Sequence, residues 1–399
     1  MSSESEPIEW LVVGGGIHGV HIALRLIARG GVASDNVTLV DPGPALLNEW
    51  RRCTGNTGMT HLRSPAVHHL GMKPFELLAF AGANNKAKGA AKEDFQAPYA
   101  RPSVAVFQAH CESLIARYGL GERHVQDRVT RVQPGCDAVT VTLKSGRTLC
   151  AKHVVLALGA GDQPRWPTWA RALQSNGVPV HQLFEPGFVL TPEEWPERVA
   201  VYGGGISAVQ AALRLANAGR EVTLVARHPF RKHQFDSDPG WVGPKNMRRF
   251  GTVTDLSTRR ALIQKARHAG SVPPKLYRTV NRAIQEGTLT HLIADVQPTL
   301  SDDGLLIHKG DTRVKVDAIL LATGFESRRP GGALVDDLVQ THALPCADCG
   351  YPVVDAQLRW HPRVFVTGPL AELELGPVSR NIIGARRAAE RIVPLASAS

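Results

Sequence analysis

The chain has 399 residues, 43% of them hydrophobic, and a formal net charge of +10. This length and apolar content suffice for two or three domains with buried cores. No apolar run approaches the roughly 18 residues that a membrane-spanning helix needs. The polar, acidic N-terminus MSSESEPIEW also lacks the pattern of a secretory signal, so we expect a cytoplasmic protein.

The first predicted unit is a strand, a glycine-rich turn and a helix close to the N-terminus. Its turn, GGGIHG, has the spacing of a dinucleotide-binding turn at Gly14, Gly16 and Gly19. In such turns the first glycine permits the tight turn, the second admits the backbone to a pyrophosphate, and the third lets helix and strand pack closely. The positive end of the helix dipole then faces the phosphates.

An acidic residue completes this unit. Its second strand ends at Asp41, which is placed to accept hydrogen bonds from a ribose 2′-hydroxyl. Residues 42–117 contain several helix and strand breakers and are predicted to form an insertion. A β-hairpin is predicted over residues 138–149, and it leads into a strand that stops at Gly159. Gly159 and Val129, which precedes the hairpin, are further candidate cofactor contacts.

The same order of elements recurs from about Glu197. The second turn, GGGISA, places Gly203, Gly205 and Ala208 at the three positions, and alanine is an accepted third residue. The strand that closes this unit stops at Gly324, as the first closing strand stops at a glycine. Two copies of one motif in one order indicate two nucleotide cofactors on one polypeptide, which favours flavin and nicotinamide chemistry.

The two units differ in the residue that ends the second strand. Where the first unit has Asp41, the second has Arg227, and more basic residues follow. A carboxylate repels a 2′-phosphate, whereas a guanidinium binds it through two hydrogen bonds. We therefore predict NADPH rather than NADH at the second site.

This duplication predicts the fold class. We expect an α/β protein with two Rossmann-like dinucleotide-binding domains, one for FAD and one for NADPH, the second inserted into the first. The FAD-binding domain would comprise residues 1–165 and 326–399, and the NADPH-binding domain residues 166–325. A strand at Val364–Val366 and a helix at Ser379–Ile392 are predicted in the last part.

Two features leave alternatives open. Residues 244–284 contain ten Lys or Arg against one acid, a net charge of +9. A solvated helical face beside a phosphate site is the favoured interpretation, and a surface for nucleic acid or an acidic partner is the alternative. Cys346 and Cys349 are the one close pair among six cysteines, and a tight turn is favoured there over a redox or metal role. No histidine or carboxylate spacing predicts a metal site.

The motifs resemble those of a known group of enzymes, the flavin-dependent monooxygenases with two dinucleotide-binding domains. Within that group the chain is most similar to the lysine and ornithine N-hydroxylating monooxygenases. The resemblance implies FAD and NADPH as cofactors, a small-molecule substrate with O2, and a homo-oligomer. It is carried by GGGIHG at 14–19, NTGMTHLRSP at 56–65, GGGISAVQ at 203–210, ATGF at 322–325 and LGPVSRNIIGARRAAERI at 375–392.

The implied reaction is an oxygen transfer. NADPH reduces the FAD, the reduced flavin takes up oxygen to form a C4a-hydroperoxide, and one oxygen atom passes to the substrate, with N-hydroxylation favoured. The residues leave the substrate open. One alternative is an FAD-dependent NAD(P)H reductase that passes electrons to a quinone, ferredoxin or disulfide. Another is a non-catalytic flavin-bound protein that uses the basic segment to associate with nucleic acid.

The resemblance also indicates residues outside the core of the two motifs. Ser207 would face the pyrophosphate of NADPH. Gly376 and Ser379 lie where a helix N-terminus would face the flavin pyrimidine and stabilise its negative charge when reduced. A Gly-Pro pair is also an ordinary helix start, and that alternative stays open.

Four further candidates lie on the segment that the resemblance places along the flavin and substrate pocket: Asn56, Met59, His61 and Arg63. Asn56 is expected to donate a hydrogen bond to the oxygenated flavin or the nicotinamide, and Arg63 to pair with an acidic group on the substrate. A polar loop that packs on the first domain is the alternative. The turn-rich stretch Gln234–Trp241 is expected to reach the nicotinamide or the substrate, and a surface turn with a packed Trp241 is the alternative.

Overall fold

The protein is described by a computed structural model, which covers residues 7–88 and 94–398. The N-terminal part builds most of a first sheet and the helices that cover it. Its strands are β1 (Ile8–Val13), β2 (Val37–Asp41), β3 (Phe95–Gln96), β4 (Arg101–Pro102), β5 (His124–Gln126), β6 (Val129–Pro134), β7 (Val139–Leu143) and β8 (Thr148–Leu156). Its helices are α1 (Ile17–Gly30), α2 (Asn48–Thr57), α3 (Glu76–Lys88) and α4 (Val104–Arg117).

The middle part builds a second sheet. Its helices are α5 (Thr168–Ser175), α6 (Ile206–Asn217), α7 (Pro244–Gly251), α8 (Leu256–Ala266) and α9 (Pro274–Gln285). Its strands are β9 (Val180–Gln182), β10 (Arg198–Tyr202), β11 (Glu221–Ala226), β12 (Arg231–Lys232), β13 (Ser271–Val272), β14 (Thr290–Ile293), β15 (Pro298–Ser301), β16 (Gly304–Lys309), β17 (Thr312–Val316) and β18 (Ala318–Leu321).

The last part returns to the first sheet. It consists of α10 (Gly332–His342), β19 (Arg359–His361), β20 (Val364–Val366), α11 (Glu372–Leu375) and α12 (Ile382–Ile392). None of the helices in the described part of the chain is long and apolar enough to cross a membrane.

Strand order shows how the two units are connected. The first sheet runs β19-β20-β8-β1-β2-β5, with β6 and β7 attached beside β8, and the second runs β14-β11-β10-β18-β9. Because β20 lies parallel to β8, the chain completes the first sheet only after it has built the whole second sheet. The predicted fold class, with the second domain inserted into the first, is confirmed. The boundaries at 165 and 325 stay a prediction.

The apolar central strands form the hydrophobic core of each domain. Leu11 and Val12 of β1 and Val199 and Val201 of β10 have no exposed surface. Both strands are flanked by parallel neighbours, β1 by β2 and β8, and β10 by β11 and β18. Such central strands are covered on both faces, which explains their nearly continuous apolar sequence.

Most predicted elements are present, and one helix start was wrong. The hairpin predicted over residues 138–149 is formed by β7 and β8, and β20 has the predicted bounds. The C-terminal helix begins at Ile382 and not at Ser379, because residues 377–380 form a short 3-10 turn and Asn381 is extended. The backbone carbonyl of Ser379 approaches α12 at Gly384, where a Cβ would lie 2.3 Å from it.

The basic segment is not simply a solvated face, and that interpretation was wrong for three of its arginines. Arg260 and Arg267 form ion pairs with Glu372, which is fully buried and also binds Arg380, at 2.8 Å between Nε and Oε2. We call these four residues the Glu372 cluster. Arg259 forms a separate ion pair with Glu374. The cluster ties α8 and the loop after it to the C-terminal part of the first domain.

Removal of the Glu372 charge is expected to destabilise the protein strongly. Glu372→Gln leaves three partly buried guanidinium groups with one neutral partner, and breaking a buried ion pair costs about 3–5 kcal/mol. Glu374→Gln is the matched control, because Glu374 is more exposed and its loss should cost about 1 kcal/mol. Urea unfolding of the two variants measures both values. Equal losses of unfolding free energy in the two variants would show that burial does not increase the contribution of the Glu372 ion pairs.

Buried histidines line the helices that pack under the first sheet. His110 of α4 is 1% exposed, and neither of its ring nitrogens hydrogen-bonds a described residue. Its ring packs on those of His69 and Phe80, at 5.2 and 5.3 Å between centroids. Burial lowers the pKa of His110 to about 4, and it lowers the pKa of His21 on α1 as well. Both side chains are therefore neutral in the folded protein at pH 7.

This burial predicts a loss of stability in mild acid. Since the unfolded chain binds a proton near pH 6.5 and folded His110 only near pH 4, the stabilisation present above pH 6.5 is lost as the pH falls through that window. His110→Leu should remove on the order of 2 kcal/mol of the difference in unfolding free energy between pH 7 and 5. Urea titrations at both pH values test this. The exposed control His308→Gln should keep the wild-type difference, and an unchanged difference in His110→Leu would contradict the assignment.

Candidate functional site

The first glycine turn leaves no room for side chains on the side of the sheet. Gly14 has a φ of 109°, and its N–H donates to the carbonyl of Val40 at 2.8 Å. A Cβ on Gly14 would lie 2.6 Å from the carbonyl oxygen of Ala157. A Cβ on Gly19 would lie 1.8 Å from the carbonyl oxygen of Gly14 itself. Both positions therefore require glycine.

The opposite side of this turn is open. A Cβ on Gly16, the N-cap of α1, would meet no atom of the described residues within 4 Å. Asp41 stands beside it, and its two carboxylate oxygens accept the N–H groups of Gly15 at 2.7 Å and Gly43 at 2.8 Å. Each oxygen keeps a second lone pair, so the carboxylate can still accept a ribose hydroxyl. The residues fit the FAD pyrophosphate and ribose.

The second turn repeats this geometry. The N–H of Gly203 donates to the carbonyl of Val225 at 2.9 Å, and a Cβ on Gly203 would lie 2.5 Å from the carbonyl oxygen of Ala322. The same Cβ would lie 2.9 Å from the methyl group of Ala208, which is fully buried. Gly203 therefore has no room for a side chain, as is the case for Gly14 in the first turn.

The pyrophosphate side of the second turn is narrower. The Cβ position of Gly205 lies 3.2 Å from the Cα of Gly270, in the loop between α8 and β13. Gly270 has a φ of 65° and, without a side chain, leaves most space at this point. Ser207 lies in the first turn of α6 and is half-buried. Gly270 was missed because a glycine within a basic stretch resembles any loop glycine.

Arg227 is available for a ligand. It follows β11, is exposed, and makes no hydrogen bond or ion pair with any residue in the described ranges. Neighbouring His228 lies against the glycine turn, 3.4 Å from a Cβ placed on Gly204. A guanidinium in this position suits the 2′-phosphate of NADPH.

Three further candidates lie at strand ends. The carbonyl of Gly324, which has a φ of 77°, accepts the N–H of Arg165 at 2.8 Å and the amide of Gln182 at 3.0 Å. Gly159 follows β8, and Val129 is buried at the start of β6. Gly324 thus lies where the chain crosses between the two sheets. Cofactor contact by Gly159, Gly324 and Val129 stays a prediction.

A third chain segment approaches the first glycine turn, and sequence reasoning missed it. Thr367 and Gly368 follow β20, and the Thr367 hydroxyl is hydrogen-bonded to Nδ1 of His18 at 3.0 Å. A Cβ on Gly368 would lie 3.5 Å from the His18 ring. The Thr-Gly pair after a buried strand repeats the ATGF pattern, so the signal was present in the sequence.

The C-terminal turn lies next to this segment. Burial lowers the pKa of His18 to about 4, against weaker opposing contacts with the backbone of Arg380 and Asn381. Ser379 is fully buried, and its hydroxyl has no hydrogen-bond partner among the described residues. Gly376, with a φ of 77°, packs against Met247 of α7. An orphaned buried hydroxyl near the N-terminus of α1 fits the prediction that Ser379 faces the flavin, which stays a prediction.

The predicted pocket segment forms the junction between the domains. Leu62 donates its N–H to the Pro102 carbonyl at 2.9 Å, so this segment pairs with the chain before α4. Arg63 then reaches into the second domain, where its guanidinium donates to the carbonyls of His233 and Gln234 and to the Ser271 hydroxyl, each at 2.8 Å. Burial lowers the pKa of Arg63, and nearby Arg101 lowers it further, against the attraction of Asp236.

Asn56 has a different role from the predicted one. Its amide donates both hydrogens, to the carbonyls of Leu183 and Phe188 at 2.9 Å, and its oxygen accepts the N–H of Leu190 at 3.0 Å. It is 2% exposed. With no amide hydrogen left, donation to a flavin or nicotinamide does not fit this geometry. Asn56 instead fastens α2 to the chain that leads into the second domain.

Met59 and His61 lie beside this junction. Met59 is partly buried and packs against the core of the first domain. The backbone of His61 bridges to that of Ser103, and its ring contacts the Thr60 hydroxyl at 3.2 Å. A catalytic role for either residue stays a prediction.

The turn-rich stretch after β12 completes the junction. The ring of Phe235 contacts that of Tyr99 at 5.0 Å between centroids. Asp236 accepts a hydrogen bond from the Asn381 amide at 3.3 Å. Three segments that are distant in sequence thus meet here: the pocket segment, the Gln234–Asp236 loop and the turn before α12.

Comparison with known protein families agrees with two dinucleotide-binding units. Residues 8–391 match the pyridine nucleotide-disulphide oxidoreductases. The chain belongs to this family. It is accordingly an oxidoreductase, and its two glycine turns fit FAD and a nicotinamide dinucleotide.

This oxidoreductase is similar to proteins of more than one activity. Its fold matches that of the ornithine hydroxylase of Pseudomonas aeruginosa with a TM-score of 0.75 and 18% identity, over 98% of each chain. The bacillithiol disulfide reductase of Bacillus cereus matches with a TM-score of 0.62 and 16% identity, over 98% of this chain and 99% of that one. A Thermus thermophilus ferredoxin–NADP reductase is 34% identical over 29% of this chain and 33% of its own. The matched region thus spans about a third of that curated relative.

Substitution of Arg227 tests the choice of nicotinamide cofactor. Arg227→Asp replaces a bidentate phosphate donor by a repelling carboxylate, so the KM for NADPH should rise about tenfold or more. The KM for NADH should change little, because NADH has no 2′-phosphate. Steady-state flavin reduction with each cofactor measures both. The exposed control Arg313→Asp should change neither, and an equal rise for both cofactors in Arg227→Asp would reject the assignment.

Proposed function

We propose that this enzyme is an FAD-dependent, NADPH-consuming monooxygenase that inserts one oxygen atom from O2 into a small-molecule substrate, and that the reaction is N-hydroxylation. The observation that carries the proposal is the junction around Arg63 and Asp236. It lies between the two dinucleotide-binding domains and is built by both of them. A monooxygenase needs such a shared site, because the reduced flavin must be kept from bulk water until it meets the substrate.

The cofactor supplies the oxidising chemistry when bound, since FAD accepts a hydride from NADPH and then activates O2. The chain supplies position and enclosure. Arg63 fixes the backbone at His233 and Gln234 against the first domain. Tyr99 and Phe235 place an aromatic contact beside it.

A carboxylate at the junction favours a nitrogen substrate. Asp236 is half-buried, and the hydrogen bond from Asn381 leaves it further acceptor capacity. A carboxylate in this position can bind the ammonium group of an amine at the junction. The likeness to the ornithine hydroxylase over nearly the whole chain supports the same substrate class.

The second candidate function is an FAD-dependent NAD(P)H reductase. It is favoured by the likeness to reductases and by the Cys346–Cys349 pair. Both cysteines are exposed, in a turn closed by the N–H of Ala347 donating to the Tyr351 carbonyl at 2.9 Å. An exposed pair can exchange with an external disulfide.

The reaction of the reduced enzyme with oxygen separates the two functions. The protein would be reduced anaerobically with NADPH and mixed with oxygenated buffer in a stopped-flow spectrometer. A monooxygenase should show a transient absorbance distinct from both oxidised and reduced flavin, and its decay with an accepted amine should yield a product that carries one oxygen atom from O2.

A reductase should instead return directly to oxidised flavin with stoichiometric peroxide, whichever amine, sulfide or ketone is present. Cys346→Ser is the matched variant. It should leave oxygen transfer unchanged if the proposal is right. Loss of turnover in Cys346→Ser, together with direct reoxidation of the wild type, would establish the thiol route.

A further inference from the structure

Arg101 is a buried cation that has no counterion among the described residues. The residue is 6% exposed, in the short strand β4 next to the pocket segment. Its one hydrogen bond to a described residue runs from Nη1 to the Leu62 carbonyl at 3.4 Å, longer than a good N–H···O bond. Its Nε is buried and has no hydrogen-bond partner in the part of the chain that the structure describes. No carboxylate oxygen of the described residues lies within 4.0 Å of the guanidinium.

Such an arrangement is costly without a ligand. Arginine cannot be deprotonated in a protein, so Arg101 cannot become neutral on burial as a lysine can. Charged side chains are almost never buried unless they are paired, because desolvation of a lone ion costs far more than the fold recovers elsewhere. Burial lowers the pKa of Arg101, in the direction that this cost requires. The described residues of this region therefore leave a positive charge that an anion can balance.

A second cation lies beside it. Arg63 repels Arg101 and uses only Nε and Nη2 for its three hydrogen bonds, so the two N–H groups of Nη1 are unused among the described residues. Asp236 attracts Arg63, but its carboxylate oxygens are not within ion-pair distance of either guanidinium. Two neighbouring guanidinium groups with unused donors match the planar, bidentate geometry of a carboxylate or phosphate.

We propose that Arg101 and Arg63 form an anion-binding site at the domain junction, which takes a carboxylate or phosphate group of a ligand. The group belongs either to the substrate or to a dinucleotide phosphate that reaches the junction. Arg101 contributes most of the binding, since Arg63 is already held by the second domain. This inference does not depend on the oxygen chemistry proposed above.

The test measures thermal unfolding of the purified full-length protein with sodium phosphate or sodium acetate, against sodium chloride of the same ionic strength. Phosphate or acetate should raise the melting temperature of the wild type in a saturable manner. In Arg101→Gln the half-saturating concentration should rise about tenfold or more, since charge-assisted hydrogen bonds are lost. The half-saturating concentration for Arg101→Lys should lie between those of the wild type and Arg101→Gln, because an ammonium group keeps the charge but loses the planar pair of N–H donors. Arg147→Gln, at an exposed arginine, should behave as wild type.

A second measurement separates ligand binding from a structural role. Without added anion, Arg101→Gln should melt no lower than wild type, because it removes an uncompensated buried charge. A lower melting temperature of the variant without anion would show that Arg101 supports the fold, and would overturn the proposal. So would a wild type that responds to phosphate and acetate no more than to chloride.

The source of the anion follows from the same titration repeated with bound dinucleotides. If saturation with FAD or NADP⁺ abolishes the phosphate effect, the site holds a phosphate of that cofactor. If the effect persists with both dinucleotides bound, the site holds an anionic group of the substrate. Both results support the site. Failure of the enzyme to transfer oxygen to a substrate would not change the result of these anion titrations.

Discussion

The Glu372 cluster is the contact on which the relation between the two domains depends. Glu372 is fully buried, and three arginines converge on it, two from the second domain and one from the turn before α12. A buried carboxylate with such partners tolerates little displacement, because moving any partner exposes an unpaired charge to a poorly solvated site. Hydride transfer between two cofactors on different domains requires that kind of fixed spacing. The cluster thus holds α8 of the second domain against the C-terminal part of the first.

The two domains have the same backbone arrangement at their glycine turns. In each domain the N–H of the first glycine donates to a carbonyl of the neighbouring strand, β2 or β11, at 2.8 or 2.9 Å. Because this glycine has no Cβ, the carbonyl of the residue that follows β8 or β18 can approach it closely. The differences between the copies are chemical. Asp41 beside the first turn suits a ribose hydroxyl, whereas Arg227 beside the second suits a phosphate. The same fold therefore gives its two turns surroundings that suit two different dinucleotides.

The sequence was informative where structure is local. The glycine spacing, Asp41 and Arg227 follow from a strand, a turn and a helix within about thirty residues, so their positions could be predicted. Thr367 and Gly368 could have been found by the same reasoning, since they follow a buried strand as Thr323 and Gly324 do. The start of α12 was misplaced because a Gly-Pro start signal also fits a 3-10 turn.

The junction could not be predicted, because its contacts join residues far apart in sequence. Asn56 binds backbone groups 127 to 134 positions away, and Arg63 binds groups 170 to 208 positions away. Nothing local distinguishes an asparagine that fastens two domains from one that binds a ligand. Arg101 likewise becomes notable only when its burial is seen together with its lack of a counterion among the described residues.

The most direct test of the account is anaerobic reduction of the bound flavin by NADPH. The central claim is that FAD on the first domain receives a hydride from NADPH on the second across a fixed junction. We expect the purified yellow protein to lose its visible flavin absorbance on mixing with NADPH, and more slowly with the same concentration of NADH. A protein whose flavin is bleached by dithionite but by neither nicotinamide would contradict the claim.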